Sequence, residues 1–245
     1  MRIRIVSYNI HKGIGVDRRF RLARIAEILE HYDAQVLMLQ EVDQGVPRSR
    51  RLDLARELAQ TLDYPFCVLG LNVRLKEGRY GNAILSRLPI VTAKNIDLSL
   101  PESWIRRGCQ HAALDLGRGR RLEAFNLHLG LSARERDKQV SLLSRSAEFR
   151  RADPDAPTIV CGDFNDWRSL LVSRFTDDLG FRWATGGSGE RHRAIRTYPS
   201  FSPRGGLDRF YYRGPLDLAN LYACRLKLSR VASDHLPLIA DFQVH

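Results

Sequence analysis

Thr158-Ile159-Val160-Cys161 followed by Gly162-Asp163-Phe164-Asn165 is an apolar strand pattern that ends on two polar residues spaced two apart. In a strand the side-chain period is two, so Asp163 and Asn165 are expected to leave on one face. Taken alone, the tetrapeptide also reads as a strand running into an Asx-type turn. Recurrence decides between the two. Further polar signatures lie along the chain, most of them closing an apolar run: Ser7-Tyr8-Asn9, Leu39-Gln40-Glu41, Asn126-Leu127-His128, Leu207-Asp208-Arg209 and Ser233-Asp234-His235. Each has a bland reading by itself, Glu41 as a strand-ending surface carboxylate, His128 as a satisfied core histidine, Asp234 as a cap. Together, strands that finish at one end of a sheet deliver their terminal side chains into one place, which predicts a single assembled site. Asn126 and His128, again two apart, share a face.

The predicted donor set is rich in oxygen. Asn9, Glu41, Asp163, Asn165 and Asp234 are hard ligands of the kind that suits Mg²⁺ or Mn²⁺, whereas zinc usually takes histidine and cysteine. His128 and His235 then remain for proton transfer.

A chain of 245 residues with 44% hydrophobic content can bury one substantial core, and because the motifs spread from Asn9 to His235 without a linker between them, one domain over residues 1–245 is expected. The net charge of +11 suggests polyanionic partners, nucleic acid or an anionic membrane surface, although arginine scattered along the chain also produces such an excess. Cys67, Cys109, Cys161 and Cys224 show no C-x-x-C pair and read as reduced core residues. The N-terminus opens directly on a strand pattern, and no run approaches the roughly 18 uninterrupted apolar residues of a membrane span. A cytoplasmic, monomeric protein without a transmembrane segment is expected.

Periodicity predicts a helix opening at Asp17 with Leu22, Ile25, Ala26 and Leu29 inward, a buried strand Gln35 to Gln40, and a second helix near Leu52 to Leu62. Strands follow at Phe66 to Leu69, Asn82 to Ser86, Ile90 to Ile96, Gln110 to Leu116 and Arg121 to His128. A helix over Ala133 to Arg151 leads to Thr158 to Cys161, and a short helix near Leu170 to Asp177 precedes strands near Leu207 to Tyr212, Leu216 to Leu228 and His235 to Val244. Strand–helix–strand in each half argues for an α/β fold, a four-layer α-β-β-α sandwich of two facing sheets with helices outside.

With these residues in hand, the chain resembles the endonuclease/exonuclease/phosphatase superfamily, the deoxyribonuclease I-like fold. The resemblance rests on Tyr8-Asn9, Gln40-Glu41, the run Gly81 to Arg87, Asn126-Leu127-His128, Gly162 to Asn165, Leu207-Asp208-Arg209 and Ser233 to Pro237. It is similar in particular to a small stand-alone bacterial branch that shares Asn9-Ile10-His11-Lys12-Gly13 and the run Asp163 to Arg168. The resemblance implies a hydrolase in which water attacks a phosphodiester. Glu41 is implied as principal metal ligand, with Asn9 beside it and Asp234 joining. Asp163 is implied to orient or deprotonate water, Asn165 to hold a phosphate oxygen, and His235 to contact the scissile phosphate with Asp208 fixing its tautomer. His128 matches a histidine that helps protonate the leaving oxygen or binds phosphate, and Asn126 and Arg107 are further phosphate-binding candidates.

Departures narrow the substrate. Abasic-site enzymes of this superfamily usually follow the metal glutamate with threonine and lysine, where this chain has Val42-Asp43, and the inositol-polyphosphate signature is absent around Asp208. A DNA nuclease is the leading expectation, with arginines near Arg48 to Arg51, Arg74 to Arg79 and Arg191 to Arg196 lining a backbone groove. The alternative is a phospholipid or sphingolipid headgroup phosphodiesterase, for which Leu98 to Ile105 with Trp104 supplies the apolar loop. An inactive scaffold or interaction module is the remote third reading.

Overall fold

Ile3 and Ile5 on one side of the first strand, β1 (Arg2–Asn9), and Val6 and Tyr8 on the other are all fully buried, so this strand needs a packed layer on each face. A computed structural model of the chain describes residues 1–153, 155–184 and 194–245, and supplies both layers. Strands β2 (Val36–Gln44), β3 (Phe66–Arg74), β4 (Arg79–Ser86), β11 (Leu216–Ala223) and β12 (Leu238–Val244) join β1 in one sheet, in the order β11-β12-β1-β2-β4-β3. Strands β5 (Ile90–Asp97), β6 (Gly108–Gly117), β7 (Arg120–His128), β8 (Thr158–Asp163), β9 (Arg182–Trp183) and β10 (Asp208–Arg213) form the second, in the order β5-β6-β7-β8-β10-β9. Helices α1 (Leu22–Tyr32) and α2 (Leu54–Thr61) pack on the outer face of the first sheet through Ile25, Leu29, Leu54 and Leu58. Helices α3 (Ala133–Arg145) and α4 (Ala147–Arg151) cover the second through Val140, Leu143 and Phe149. The expected four layers are therefore present. Each sheet contains one strand–helix–strand crossover, β1–α1–β2 and β7–α3–α4–β8, and in both the two strands run parallel.

Several boundaries differ from the periodic reading, each for a local reason. Helix α1 begins at Leu22; Asp17 instead accepts from the Arg19 amide and pairs with Arg24. The helix expected over Ala133 to Arg151 is broken at Ser146, which is extended (ψ 151°) and caps α4 by accepting from the Phe149 amide. The segment after Leu170 forms a short wide turn, Arg174–Asp178. Strand β11 stops at Ala223 and β12 starts only at Leu238, after Pro237, which has no N–H for the ladder.

Between the sheets the buried stripes change character along their length. Reading toward one end they run Ile3, Ile5, Ser7, Asn9 on β1; Val36, Met38, Gln40 on β2; Leu122, Ala124, Asn126, His128 on β7; and Ile159, Cys161, Asp163 on β8. The apolar half is the inter-sheet core, and the polar half must satisfy itself internally because it is equally buried. Asn126 does this across the gap. Its Nδ2 donates to the Leu39 and Ala83 carbonyls of the opposite sheet (2.9 and 3.0 Å), and its Oδ1 accepts from Gln40 Nε2 (2.7 Å). That corrects the expectation that Asn126 binds phosphate: both amide hydrogens are committed, and the residue ties the sheets together.

Replacing Asn126 with leucine leaves two carbonyls and the Gln40 amide short of a partner in a dry layer, at roughly 1–3 kcal/mol per buried group. Urea unfolding of Asn126→Leu is expected to show a loss of about 2–4 kcal/mol, and a loss under about 0.5 kcal/mol would remove the amide from its inter-sheet role.

Candidate active site

The polar end of the inter-sheet layer coincides with the carboxyl ends of the parallel strands. Asn9 closes β1, His128 closes β7 and Asp163 closes β8, with His128 and Asp163 opposite each other in register. Antiparallel neighbours start at the same level: Asp208, first residue of β10, faces Asp163, and Gly108, first residue of β6, faces His128, which sets Arg107 just outside. His235 arrives from the segment preceding β12. Strand register alone thus brings residues from four parts of the chain together.

Two backbone irregularities complete the placement. Gly162 sits at φ +136°, and a Cβ there would come within 2.0 Å of the Leu127 carbonyl oxygen, so only glycine lets β8 lie this close to β7. On β2 the pairing with β4 slips by one residue between Leu39 and Val42, and Glu41 within the bulge has φ +58°. Without the bulge Glu41 would follow Leu37 and Leu39 toward the helices; with it, Val42 takes that place in the helix-side core and Glu41 is turned to the site. Asn165 also has positive φ, 51°, beyond the end of β8. Its position beside Asp163 therefore comes from an Asx turn, its amide donating to Asp163 Oδ1 (3.0 Å), and not from strand alternation as expected.

Asp163 is the hub. Its Oδ2 accepts from Asn9 Nδ2 at 3.0 Å and lies 3.6 Å from both His128 Nε2 and His235 Nε2. His235 Nδ1 is bound by Asp208 Oδ2 at 2.9 Å, which in turn accepts from the Thr197 hydroxyl at 2.5 Å. Asn165 Nδ2 donates to the Leu129 carbonyl at 3.0 Å.

These near neighbours drive their protonation in different directions. Burial raises the Asp163 carboxyl, and the Asp208 charge adds to it, outweighing His235 and the Asn9 and Asn165 donors. Burial alone would lower His235, but Asp208 and Asp163 hold it protonated to about 10. His128 is driven well down by burial and by the Arg107 charge, so it is neutral at pH 7. Burial would also raise Glu41, yet neighbouring positive charge holds it at about 2. Lys12 is the cation in direct contact, its Nζ hydrogen-bonded to Glu41 Oε2.

A divalent cation fits the donors present. Glu41 is largely buried and already paired with a cation, and Tyr80 offers it a hydrogen bond. The turn Asn9 to Gly13 carries Lys12 onto Glu41 and His11 to within 4.0 Å of Asp234, whose side chain is 32% exposed and has no cationic side chain closer among the described residues. Asn9 is the weaker donor, since its Oδ1 accepts from the His11 amide (3.1 Å) and its Nδ2 serves Asp163. Asp163, Asp208 and His235 also present ligand atoms within 4.8 Å of one another. Glu41 and Asp234 are further carboxylates that could hold such an ion, oxygen donors of the kind Mg²⁺ or Mn²⁺ takes.

The arginine expectations divide. Arg107 is buried (8% exposed) with an unpartnered Nε and no carboxylate beside it among the described residues, as a phosphate clamp requires. Arg48 is instead bound by Asp43, Arg51 by Glu77, and Arg50 lies over the Phe20 ring, so that cluster is largely spent within the fold. Arg191 and Arg193 lie outside the described residues. Lys12, Tyr80, Thr197 and Tyr198, which stacks near His235, received no role from sequence; only the His11-Lys12 pair next to Asn9 hinted at one.

Known proteins share this fold. The model of the endonuclease/exonuclease/phosphatase family matches residues 6–235. The uncharacterized protein YbhP of Escherichia coli is 32% identical over 98% of this chain and 96% of its own. An endonuclease/exonuclease/phosphatase from Beutenbergia cavernae superposes with a TM-score of 0.81 at 20% identity, covering 99% of this chain and 72% of the other. D. rerio TDP2 complexed with single strand DNA product superposes with a TM-score of 0.75 at 18% identity, covering 99% of each chain. At these identities the two structures show a common fold.

The opposed histidines can be read directly. In metal-free protein, imidazole NMR titration is expected to find His235 protonated up to about pH 10 and His128 neutral well below 6.5. Removing the carboxylate in Asp208→Asn should bring the His235 transition down by at least about one unit, worth ~1.4 kcal/mol. An unchanged His235 transition in that variant would overturn the pairing.

Proposed function

The chain belongs to the endonuclease/exonuclease/phosphatase family, and from that premise we propose that it is a divalent-metal-dependent phosphodiesterase that directs water onto the phosphorus of a nucleic-acid diester, most simply a DNA nuclease. The observation that carries this reading is the pair Asp163 and His235, 3.6 Å apart, with the carboxyl pushed up and the imidazole held protonated. Neighbouring groups whose environments separate their protonation are how acid and base roles are divided in a hydrolytic site. Asp163 orients the attacking water and accepts its proton, its raised affinity for a proton suiting it to that exchange near neutral pH. His235, fixed by Asp208, donates to a phosphate oxygen and supplies the proton. His128, being neutral, fits the phosphate-contact half of its expected role better than protonation of the leaving oxygen. Asn165 and Arg107 hold non-bridging oxygens, Arg107 gaining in the phosphate an anion that no described residue gives it. Glu41 and Asp234 would hold a divalent ion, which would supply positive charge against the charge developing on the phosphate.

Nucleic acid is favoured over lipid for two reasons. A structural neighbour, D. rerio TDP2, is complexed with a single strand DNA product, and among the described residues the site presents Arg107 without a carboxylate partner, with a recess flanked by arginines elsewhere on the chain. The lipid headgroup reading keeps one observation, the wholly exposed Trp104 on the loop leading to Arg107. The four free cysteines support a reducing, cytoplasmic setting, none of the described helices is long and apolar enough to cross a membrane, and we take residues 1–245 as a single catalytic domain acting as a monomer.

Purified protein with Mg²⁺ or Mn²⁺ is expected to hydrolyse bis(p-nitrophenyl) phosphate and to nick plasmid DNA, and to stop in excess chelator. Glu41→Ala should weaken Mn²⁺ binding in calorimetry while the thermal midpoint holds, and Asp163→Asn should lower kcat by about 10²–10⁴. Full turnover in chelator, or near wild-type kcat in Asp163→Asn, would contradict the assignment.

A further inference from the structure

Exposed aromatic rings are few, and each is close in the chain to a residue of the site or to one bonded to it. Among the described residues they are Trp104, Trp167 and Phe201. Trp104 precedes Arg107, Trp167 follows Asn165, and Phe201 lies in the turn whose Ser200 is bonded to Ser233 and Asp234. Trp167 differs from the other two in being seated. Its ring meets the Tyr198 ring edge-on at 5.5 Å, and the Tyr198 ring lies 5.0 Å from His235. It also rests against the backbone of Gly205, where a Cβ would come within 2.4 Å of the indole. Though held on these sides, Trp167 stays 55% exposed.

The ring borders an open recess of about 260 Å³ that is also lined by Arg168, Arg196, Arg204 and the Gly205-Gly206 backbone. That is below the roughly 300–1,000 Å³ of pockets that hold a whole ligand, so the recess suits one flat group of a larger molecule. The three arginines are exposed, and none has a carboxylate partner among the described residues.

We propose that this recess is a stacking subsite for an unpaired nucleobase, which lies on Trp167 while Arg168, Arg196 and Arg204 meet the flanking phosphates. The inference rests on the phosphodiesterase reading above and names its substrate class: nucleic acid reaches His235 as a single strand or a frayed end. A base inside a duplex already has both faces covered by its neighbours, so a free indole face recruits only an unstacked one. Three unpaired guanidinium groups around one ring also fit a polyanion better than an acyl chain. Lipid insertion calls for a contiguous apolar loop, and here arginine directly follows the tryptophan.

The test is equilibrium binding in chelator, where no turnover intervenes and the result stands whether or not diester hydrolysis is found. The probes are a labelled mixed-sequence oligodeoxynucleotide, an abasic oligomer with the same number of phosphates, the corresponding duplex, and vesicles of phosphatidylglycerol. Wild type is expected to bind the single strand about tenfold more tightly than the abasic oligomer or the blunt duplex. Trp167→Ala should erase that preference, Trp167→Phe should retain most of it, and Trp167→Leu, which fills the seat without a stacking face, should behave as alanine does. Arg168→Ala/Arg204→Ala should weaken both oligomers and flatten the salt dependence by about 0.7 per lost phosphate contact. Turnover of bis(p-nitrophenyl) phosphate by Trp167→Ala at the wild-type kcat would support a binding role, and its loss in parallel with binding would reduce Trp167 to a structural residue. Equal affinity for base-bearing and abasic strands, or binding to vesicles but not to the oligonucleotide, overturns the proposal.

Discussion

Burial of a polar cluster between two sheets is the constraint on which the site depends. The inter-sheet layer is apolar along Ile3, Ile5, Val36, Met38, Ile159 and Cys161, and then becomes Ser7, Asn9, Gln40, Asn126, His128 and Asp163 without becoming exposed. A buried polar group without partners is costly, so this half of the layer is ordered by hydrogen bonds where the other half is ordered by packing. The Asn126 amide is the tie that makes the two halves one structure, since it holds the carbonyls of Leu39 and Ala83 across the gap. A catalytic group mounted on either sheet is thereby fixed against groups mounted on the other.

Low dielectric surroundings then do chemical work. Asp163, His235 and Asp208 form a chain in which both carboxylates stabilise the imidazolium between them and Asp208 disfavours the charge on Asp163. His128, at the same 3.6 Å from Asp163 as His235 but without a carboxylate on its other nitrogen, goes the opposite way. The difference between two histidines with the same near neighbour is set by what lies behind them, Asp208 for one and Arg107 for the other. Glu41, paired with Lys12, lies within electrostatic reach of His128.

Charge on the surface follows a different logic from charge in the sequence. The excess of arginine is spread over the chain, but much of it is neutralised at home, as Arg48 by Asp43, Arg51 by Glu77 and Arg4 by Asp241. Among the described residues, those without a carboxylate partner include Arg107 within the site and Arg168, Arg196 and Arg204 around Trp167. A net charge of +11 therefore says less about a partner than the location of these few side chains.

The sequence by itself determined the layer architecture and which polar residues close the buried strands. Period-two pairs such as Asn126 with His128, and polar residues closing apolar runs at Asn9, Asp163 and Asp208, are local patterns, and strand geometry converts them into shared faces and shared ends. Tertiary structure alone decided three things. It aimed Glu41, through a bulge whose register depends on the partner strand β4; it removed Asn126 from the phosphate and gave it to the opposite sheet; and it brought Trp167, Tyr198 and His235 into one line from separate loops. The physical reason is common to all three. Hydrogen-bond partners, ion pairs and ring contacts form between residues far apart in the chain, where spacing carries no information about which of several possible partners is met.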